Sequence, residues 1–372
     1  MIAPDPRAAI DALADAADAT PAWRDAMHRA PRHAFVPDRI LAGPASGPDR
    51  LIDKAADPDG WWQAVYSDQP IVTQVDDGTT DLPDGRDYTS SCSQPSLVVS
   101  FLRLLEVHDH HRVLEIGTGT GWTAGLLSAA IGDHNVTSIE VDPVLAERAT
   151  ANLEGVGLHP NLIVGDGAAG HPDTVPFDRV HVTCGVRSVP YAWVEQTRPG
   201  GIIVLPWSPG IGWGHQLVLH VQPDGTALGR VGDSADYMLL RAQRRDLYFG
   251  GEHEETTTRI DPRTLAWAPR GADLAMAALL PGVRAFEREL QDDVIDWWLS
   301  DPGSRSWAVA RYVPGETEYP VRQHGPRRLW EEAEDAYFRW QSWGRPGCDR
   351  YGITVSADGF HLWMDGPAHR IA

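Results

Sequence analysis

The chain has 372 residues, enough for about two domains of ordinary size, each with its own core. Acidic residues outnumber basic ones 52 to 32, a formal net charge of −20 with no basic run of five or more, which argues against a nucleic acid partner because phosphate affinity comes from clustered Lys and Arg. No apolar run approaches the roughly 20 residues a membrane-spanning helix needs, and Asp5, Asp11, Asp15 and Asp18 crowd a start that a secretory signal would keep free of acids, so a cytoplasmic protein without membrane contact is expected.

Residues 7 to 29 carry an Ala-rich helical pattern, which Pro31, Arg32, His33, Ala34, Phe35, Val36 and Pro37 end with proline on both sides. Residues 41 to 60, rich in Gly, Pro, Asp and Ala, read as a loop excursion, and a second polar stretch from Asp76 to Asp87 contains Gly78, Pro83 and Gly85. Between them lies a short extended piece, Val65 to Val72. Ser91, Cys92, Ser93, Gln94 and Pro95 lead into a helix with Leu97, Val98, Phe101, Leu102 and Leu105 on one face. His108, His110 and His111 precede a strand with no partner pair downstream and read as a solvated loop. Cys92, Cys184 and Cys348 are odd in number and far apart, so neither a disulfide framework nor a metal site is expected.

Val113 to Gly121 reads V-L-E-I-G-T-G-T-G, a short buried strand followed by closely spaced glycines. Trp122, Leu126, Leu127 and Ile131 then recur at helical spacing, giving the order strand, glycine loop, helix. The alternation continues. Asn135 to Ile139 is a strand ending at Glu140, and Asp142 and Pro143 open a helix through Glu154. Leu162 to Val164 ends at Gly165, Asp166 and Gly167; Phe177 to Thr183 is a strand, Tyr191 to Arg198 a short helix, and Gly201 to Leu205 a strand again. Such spacing predicts an α/β fold, a doubly wound, mostly parallel sheet with helices on both faces and its ligand beyond the carboxyl ends of the strands. From Gln216 the rhythm becomes that of an antiparallel hairpin closing the sheet, turning at Asp224 and Gly225.

A domain boundary is placed near Leu240, separating residues 1–240, with an N-terminal helical part over 1–105, from a C-terminal α+β domain over 241–372 that holds 8 of the 15 Trp. Glu252, His253, Glu254 and Glu255 read as a charged surface loop. Helices are predicted from Val283 to Leu299 and from Leu329 to Gln341, where Trp330, Ala333, Tyr337 and Trp340 share a face, and a hairpin from Tyr351 to Val355 and Phe360 to Met364 turns at Asp358 and Gly359.

Closely spaced glycines let backbone N–H groups approach a ligand without Cβ obstruction. Here they follow Gly-x-Gly-x-Gly at Gly117, Gly119 and Gly121, whereas the dinucleotide fingerprint wants the third glycine one position later. Glu140, 19 positions after Gly121, ends the next strand where a carboxylate can accept both hydrogen bonds of a ribose diol, and Asp166 ends the third strand near an adenine edge. No Lys follows the glycines, so a triphosphate clamp is absent. A nucleoside without phosphates fits, which points to S-adenosyl-L-methionine with S-adenosyl-L-homocysteine as product.

Residues 31 to 37, Tyr66-Ser67-Asp68-Gln69-Pro70, Ser93-Gln94-Pro95, the glycine loop, Glu140 to Asp142, Gly165-Asp166-Gly167, Pro176-Phe177-Asp178-Arg179, Val182-Thr183 and Glu195-Gln196 through Leu205-Pro206 resemble, in order, the protein L-isoaspartyl (D-aspartyl) O-methyltransferase family over roughly residues 7 to 240. The resemblance implies a Rossmann-like methyltransferase sheet and transfer of a methyl group to a carboxylate of a peptide or protein carrying isoAsp or Asp. It implies Ser93 as the active-site hydroxyl, with Ser91 in the place of a nearby family Thr, and Glu115, Thr118, Gly167 and Thr183 beside the glycines, Glu140 and Asp166 in the cofactor site. Gln94 and the loop Cys184, Gly185, Val186 and Arg187 would border the peptide, Cys184 as a wall residue and Arg187 as a partner for a substrate carboxylate. That loop departs from the family's alanines and Pro-Glu pair, as do the polar segment 76 to 90 and the C-terminal module.

Core plus Trp-rich extension also resemble the branch that tailors ribosomally synthesised peptides, methylating an ordinary Asp whose ester then cyclises to an aspartimide. Extra surface suits an enzyme devoted to one peptide, so this function, with residues 241–372 recognising the peptide, is expected ahead of isoaspartyl repair. A non-catalytic cofactor-binding module and a small-molecule carboxyl methyltransferase are the remaining alternatives.

Overall fold

The computed structural model describes residues 6–43, 47–244 and 246–371; Asp5, the outermost residues of the two expected domains, residue 245 and residues 44–46 of the expected loop excursion lie outside the described residues. The Ala-rich start forms two helices, α1 (Pro6–Ala16) and α2 (Pro21–Arg29), instead of one. Asp18 at φ +52° breaks the run, and Thr20 with Pro21 at the first helical position starts the second helix.

The segment that follows is more β-rich than its composition implies. Strands β1 (Arg39–Ala42), β2 (Arg50–Asp53), β3 (Ile71–Val75) and β4 (Tyr88–Cys92) form an antiparallel sheet in the order β2-β1-β3-β4, with helix α3 (Pro58–Val65) between β2 and β3. The loop excursion at 41 to 60 is thus partly a hairpin, and Val65 ends a helix instead of opening a strand. The polar stretches between them hid these elements, because each strand is only four or five residues long.

Helix α4 (Pro95–Leu105) leads into the central sheet: β5 (Val113–Ile116), α5 (Trp122–Ile131), β6 (Val136–Glu140), α6 (Pro143–Gly155), β7 (Asn161–Val164), β8 (Phe177–Val182), α7 (Tyr191–Glu195), β9 (Thr197–Trp207), β10 (His215–Val221) and β11 (Ala227–Ser234). Strands β7, β6, β5, β8 and β9 are mutually parallel neighbours. β5 is buried along its whole length, as a strand covered on both faces should be. The chain builds outward from β5 first to β6 and β7, then on the other side to β8 and β9, so the carboxyl end of β5 is a topological switch point.

Beyond residue 241 the chain forms β12 (Glu254–Thr258), α8 (Arg263–Ala266), α9 (Arg270–Leu279), β13 (Arg284–Glu289), β14 (Ile295–Asp301), β15 (Ser306–Tyr312), β16 (Tyr319–His324) and α10 (Leu329–Ser342), its five strands making a second antiparallel sheet ordered β12-β16-β15-β14-β13. The helix expected over Val283 to Leu299 is therefore the β13–β14 hairpin. Phe286, Leu290, Val294 and Trp298 mimic helical spacing, but Asp292 and Asp293 adopt φ +60° and +57° in a turn, and Trp297 and Leu299 enter the core while Trp298 between them is less buried. Glu254 and Glu255 belong to β12, not to a loop.

The last hairpin, β17 (Tyr351–Ser356) and β18 (Gly359–Met364), returns to the central sheet and pairs with β11. The β10–β11 hairpin therefore does not close that sheet, whose order is β18-β17-β11-β10-β9-β8-β5-β6-β7. Tyr351 and Ile353 share one buried cluster with Leu205, Leu217 and Trp330, so both parts of the chain contribute to the same core.

Candidate active site

A cavity opens at the switch point, floored by the glycine loop and by the ends of β6 and β8. Gly117 (φ +96°) leaves no room for a side chain, since a Cβ there would lie 2.7 Å from Thr183 Oγ1. Thr183 in turn donates to the Ile116 and Gly117 carbonyls, tying the end of β8 to the loop. Glu140 anchors the loop from the other side: Oε2 accepts from Gly119 N–H at 2.8 Å and Oε1 from Asp142 N–H at 3.0 Å. A carboxylate has about four lone-pair sites, so both oxygens can still accept from a diol. Thr118, Gly167 and Cys184 complete this part of the lining. Burial pushes the Cys184 thiol up to about 12, with Glu140 adding and Arg244 opposing, which keeps it a neutral wall group instead of a nucleophile.

The lining also carries Ser91, Ser93 and Gln94, with the Ser91 carbonyl close beside Gly119, and three separate sequence elements hold this stretch. Arg32, 1% exposed, donates to the carbonyls of Val65, Ser67, Gln69, Cys92 and Ser93 at 2.8 to 3.0 Å. Asp68 caps α4 from outside the helix, accepting from Ser96 N–H at 2.8 Å and Gln94 Nε2 at 3.2 Å. The proline-flanked segment, the Tyr66 to Pro70 piece and the Ser-Gln-Pro run thus converge to fix the backbone at Ser93.

Several expected contacts lie elsewhere. Gly121 (φ +88°) caps α5 outside the cavity, where a Cβ would meet Ala149 Cβ at 3.2 Å; it serves the close packing of α5 on α6. Glu115 is fully buried beneath the loop, bonded to Ser138, which also contacts Thr118 at 2.6 Å. Burial pushes Glu115 up to about 8 against the opposing Ser138 bond, with Glu140 adding to the rise, so it is mainly protonated at neutral pH. Asp166 is exposed and caps a 3₁₀ turn through Ala168 N–H; its neighbour Gly167, not Asp166, reaches the cavity. Gly185, Val186 and Arg187 do not line the cavity either. The Arg187 guanidinium packs against Gly210 on another side of the loop, where burial and nearby Arg284 lower it to about 10.

Unforeseen from the sequence is the cavity's cover, Asp236 to Arg241 with Arg244. Arg241 bonds to Asp142 at 3.2 Å and to Asp77 at 2.9 Å, and Arg244 bonds to Asp77 at 2.8 Å, so the polar excursion between β3 and β4 is clamped to this cover. No local pattern marks the segment, which lies between two sheets and becomes part of the site only by folding back.

The model of the protein-L-isoaspartate(D-aspartate) O-methyltransferase family matches residues 58–232. Protein-L-isoaspartate O-methyltransferase 2 of Archaeoglobus fulgidus is 31% identical over 221 residues, covering 59% of this chain and 84% of that protein. Its counterpart in Methanosarcina mazei is 31% identical over 204 residues, covering 54% of this chain and 68% of its own length. The chain belongs to this family. It is an S-adenosylmethionine-dependent protein carboxyl O-methyltransferase. A solved protein-L-isoaspartate O-methyltransferase structure shares the fold over 97% of this chain and 100% of its own, with a TM-score of 0.57 and 20% identity. The residues present fit the cofactor: the loop has backbone donors, the cavity's Arg241 and Arg244 are paired with Asp77 and Asp142, and Glu140 offers the acceptor a ribose needs.

Proposed function

We propose that this methyltransferase esterifies the free carboxylate of an isoaspartyl residue in a peptide or protein. S-adenosylmethionine would supply a methyl group on a sulfonium, already a good leaving group. The acceptor carboxylate is ionised at neutral pH and needs no general base, so the protein's task is in-line positioning. The observation that carries the reading is the fixing of Ser93, by Arg32 and by Asp68 through α4, in the lining of the cavity that the glycine loop floors. Gly117, Thr118, Gly119, Glu140, Gly167 and Thr183 are assigned to the cofactor, with Ser93, Ser91 and Gln94 facing the acceptor.

A second reading, methylation of an Asp in one constrained peptide with later aspartimide formation, draws on the cover at Asp236 to Arg241 with Arg244, extra surface of the kind an enzyme devoted to one peptide can use. The extension itself does not separate the two readings, because a solved isoaspartate methyltransferase fold spans nearly the whole chain. Residues 241–372 are proposed as the peptide-binding module in either case. Removing them is a poor test, since β17 and β18 would leave the central sheet. Methyl transfer to paired isoAsp and Asp peptides decides: turnover of many unrelated isoAsp sequences supports repair, and turnover confined to one Asp peptide sinks it.

Ser93→Ala should lower kcat about 10- to 100-fold while S-adenosylhomocysteine affinity stays within about twofold, the expected loss of one hydrogen bond to a charged group. Lost cofactor affinity with unchanged kcat would refute the role. We also place the protein in the cytoplasm; all three cysteines are free thiols, and no helix among the described residues is long and apolar enough to cross a membrane.

A further inference from the structure

The cover over the cavity includes a second hydroxyl. Tyr237 lines the cavity together with Ser93 and packs its ring edge-on against Phe101 at 5.5 Å. Its backbone is held at both ends. Gly214 N–H donates to Asp236 Oδ1 at 2.7 Å, and Ala235 N–H donates to the Gly214 carbonyl at 2.9 Å. Downstream, Gly185 N–H donates to the Met238 carbonyl and Leu240 N–H to the Gly185 carbonyl, both at 2.8 Å. A Cβ at Gly185 would lie 2.8 Å from the Tyr237 carbonyl oxygen, so the loop after β8 and the cover fit only as a closely apposed pair. This explains why Gly185 matters without touching the cavity: it positions Tyr237.

We propose that Tyr237 is a second acceptor-binding hydroxyl, donating its phenol hydrogen bond to the carboxylate oxygen that is not methylated; this rests on the carboxyl methyltransferase reading above. Each hydroxyl has one proton to donate, and the phenol is the more acidic. With the acceptor bound, both protons turn to the anion, that of Ser93 to one carboxylate oxygen and that of Tyr237 to the other. The carboxylate oxygen facing Ser93 then forms the new bond to the methyl carbon while the C–S bond breaks, its electron pair staying on sulfur, and no proton is transferred. Burial raises the phenol above its ordinary value, with Ser93 opposing, so the donor persists across the working pH range. Tyr237 lies beyond the family-matched residues 58–232, in the segment that connects β11 to the second antiparallel sheet.

Tyr237→Phe keeps the ring against Phe101 and removes only the hydroxyl. With an isoaspartyl or aspartyl peptide that the wild type methylates, the variant should lose about 10- to 100-fold in kcat/KM, while S-adenosylhomocysteine Kd and Tm stay near wild type. In the Ser93→Ala background the same change should cost less than it does alone, because the two hydroxyls act as a unit. Wild-type kcat/KM in Tyr237→Phe, fully additive losses, or a parallel fall in cofactor affinity would each overturn the assignment while leaving the methyltransferase reading intact. Wild-type protein inactive on every isoAsp and Asp peptide would instead remove the reading on which it rests.

Discussion

Arg32→Met should destabilise the protein by roughly 3–5 kcal/mol, placing it among the most damaging single substitutions in the chain. The native guanidinium is 1% exposed and spends Nη1 and Nη2 on five carbonyls from two separate stretches, 65–69 and 92–93, while its Cζ lies 5.2 Å from the centroid of the Trp122 ring. Methionine fills comparable volume but donates nothing, so those carbonyls lose a shared donor in a place where water enters only by opening the fold. Arg32→Lys restores the charge with a single nitrogen that cannot span the same fork, and should recover only part of the loss. Urea unfolding followed by Trp fluorescence gives the measurement. A loss below about 1 kcal/mol would mean the carbonyls find other partners, and that Arg32 does not hold the Ser93 wall.

Glu140→Ala should weaken S-adenosylhomocysteine binding at least about 100-fold, an effect on binding more than on folding. Two backbone donors, Gly119 N–H and Asp142 N–H, converge on this carboxylate, so its removal frees the glycine loop and deletes the acceptor assigned to the ribose. Glu140→Gln preserves the shape but turns an NH2 group toward one of those donors, and should fall between the two. Calorimetric titration reads the result. An affinity within about threefold of wild type would show that the ribose is held elsewhere and return the assignment of this cavity to question.

The parts of the site that sequence made legible are those whose chemistry is local. The glycine spacing at Gly117 and Gly119 and the acid at Glu140 sit at strand ends, and a strand end followed by a helix start has one geometry in a parallel sheet. Gly121 belongs to the same pattern yet does different work. Pattern reading cannot tell a glycine needed for a ligand from one needed for helix packing, because both demand a missing Cβ. Asp166 fails for a related reason: the strand end was legible, but the side-chain direction was set by the 3₁₀ turn it caps. Arg187 was placed on the right loop and aimed wrongly, since the packing of Gly210 against that loop decides where the guanidinium goes.

The β13–β14 hairpin marks the limit for secondary structure. Its apolar residues fit a helix as well as a strand pair, and what selects strands is Trp297 and Leu299 facing a core to which Trp330 of α10 also contributes. By itself the sequence determined the parallel sheet, the glycine loop and the class of cofactor, because period, glycine spacing and strand-end acids are short-range properties of the chain; the carboxylate acceptor entered only through the family resemblance. Tertiary structure alone decided that β17 and β18 extend the central sheet, that Arg32 and Asp68 converge on Ser93, and that Tyr237 lines the cavity with Ser93. Those pairings join residues from about 30 to more than 140 positions apart, and no local propensity encodes which distant backbone will supply a missing hydrogen-bond partner.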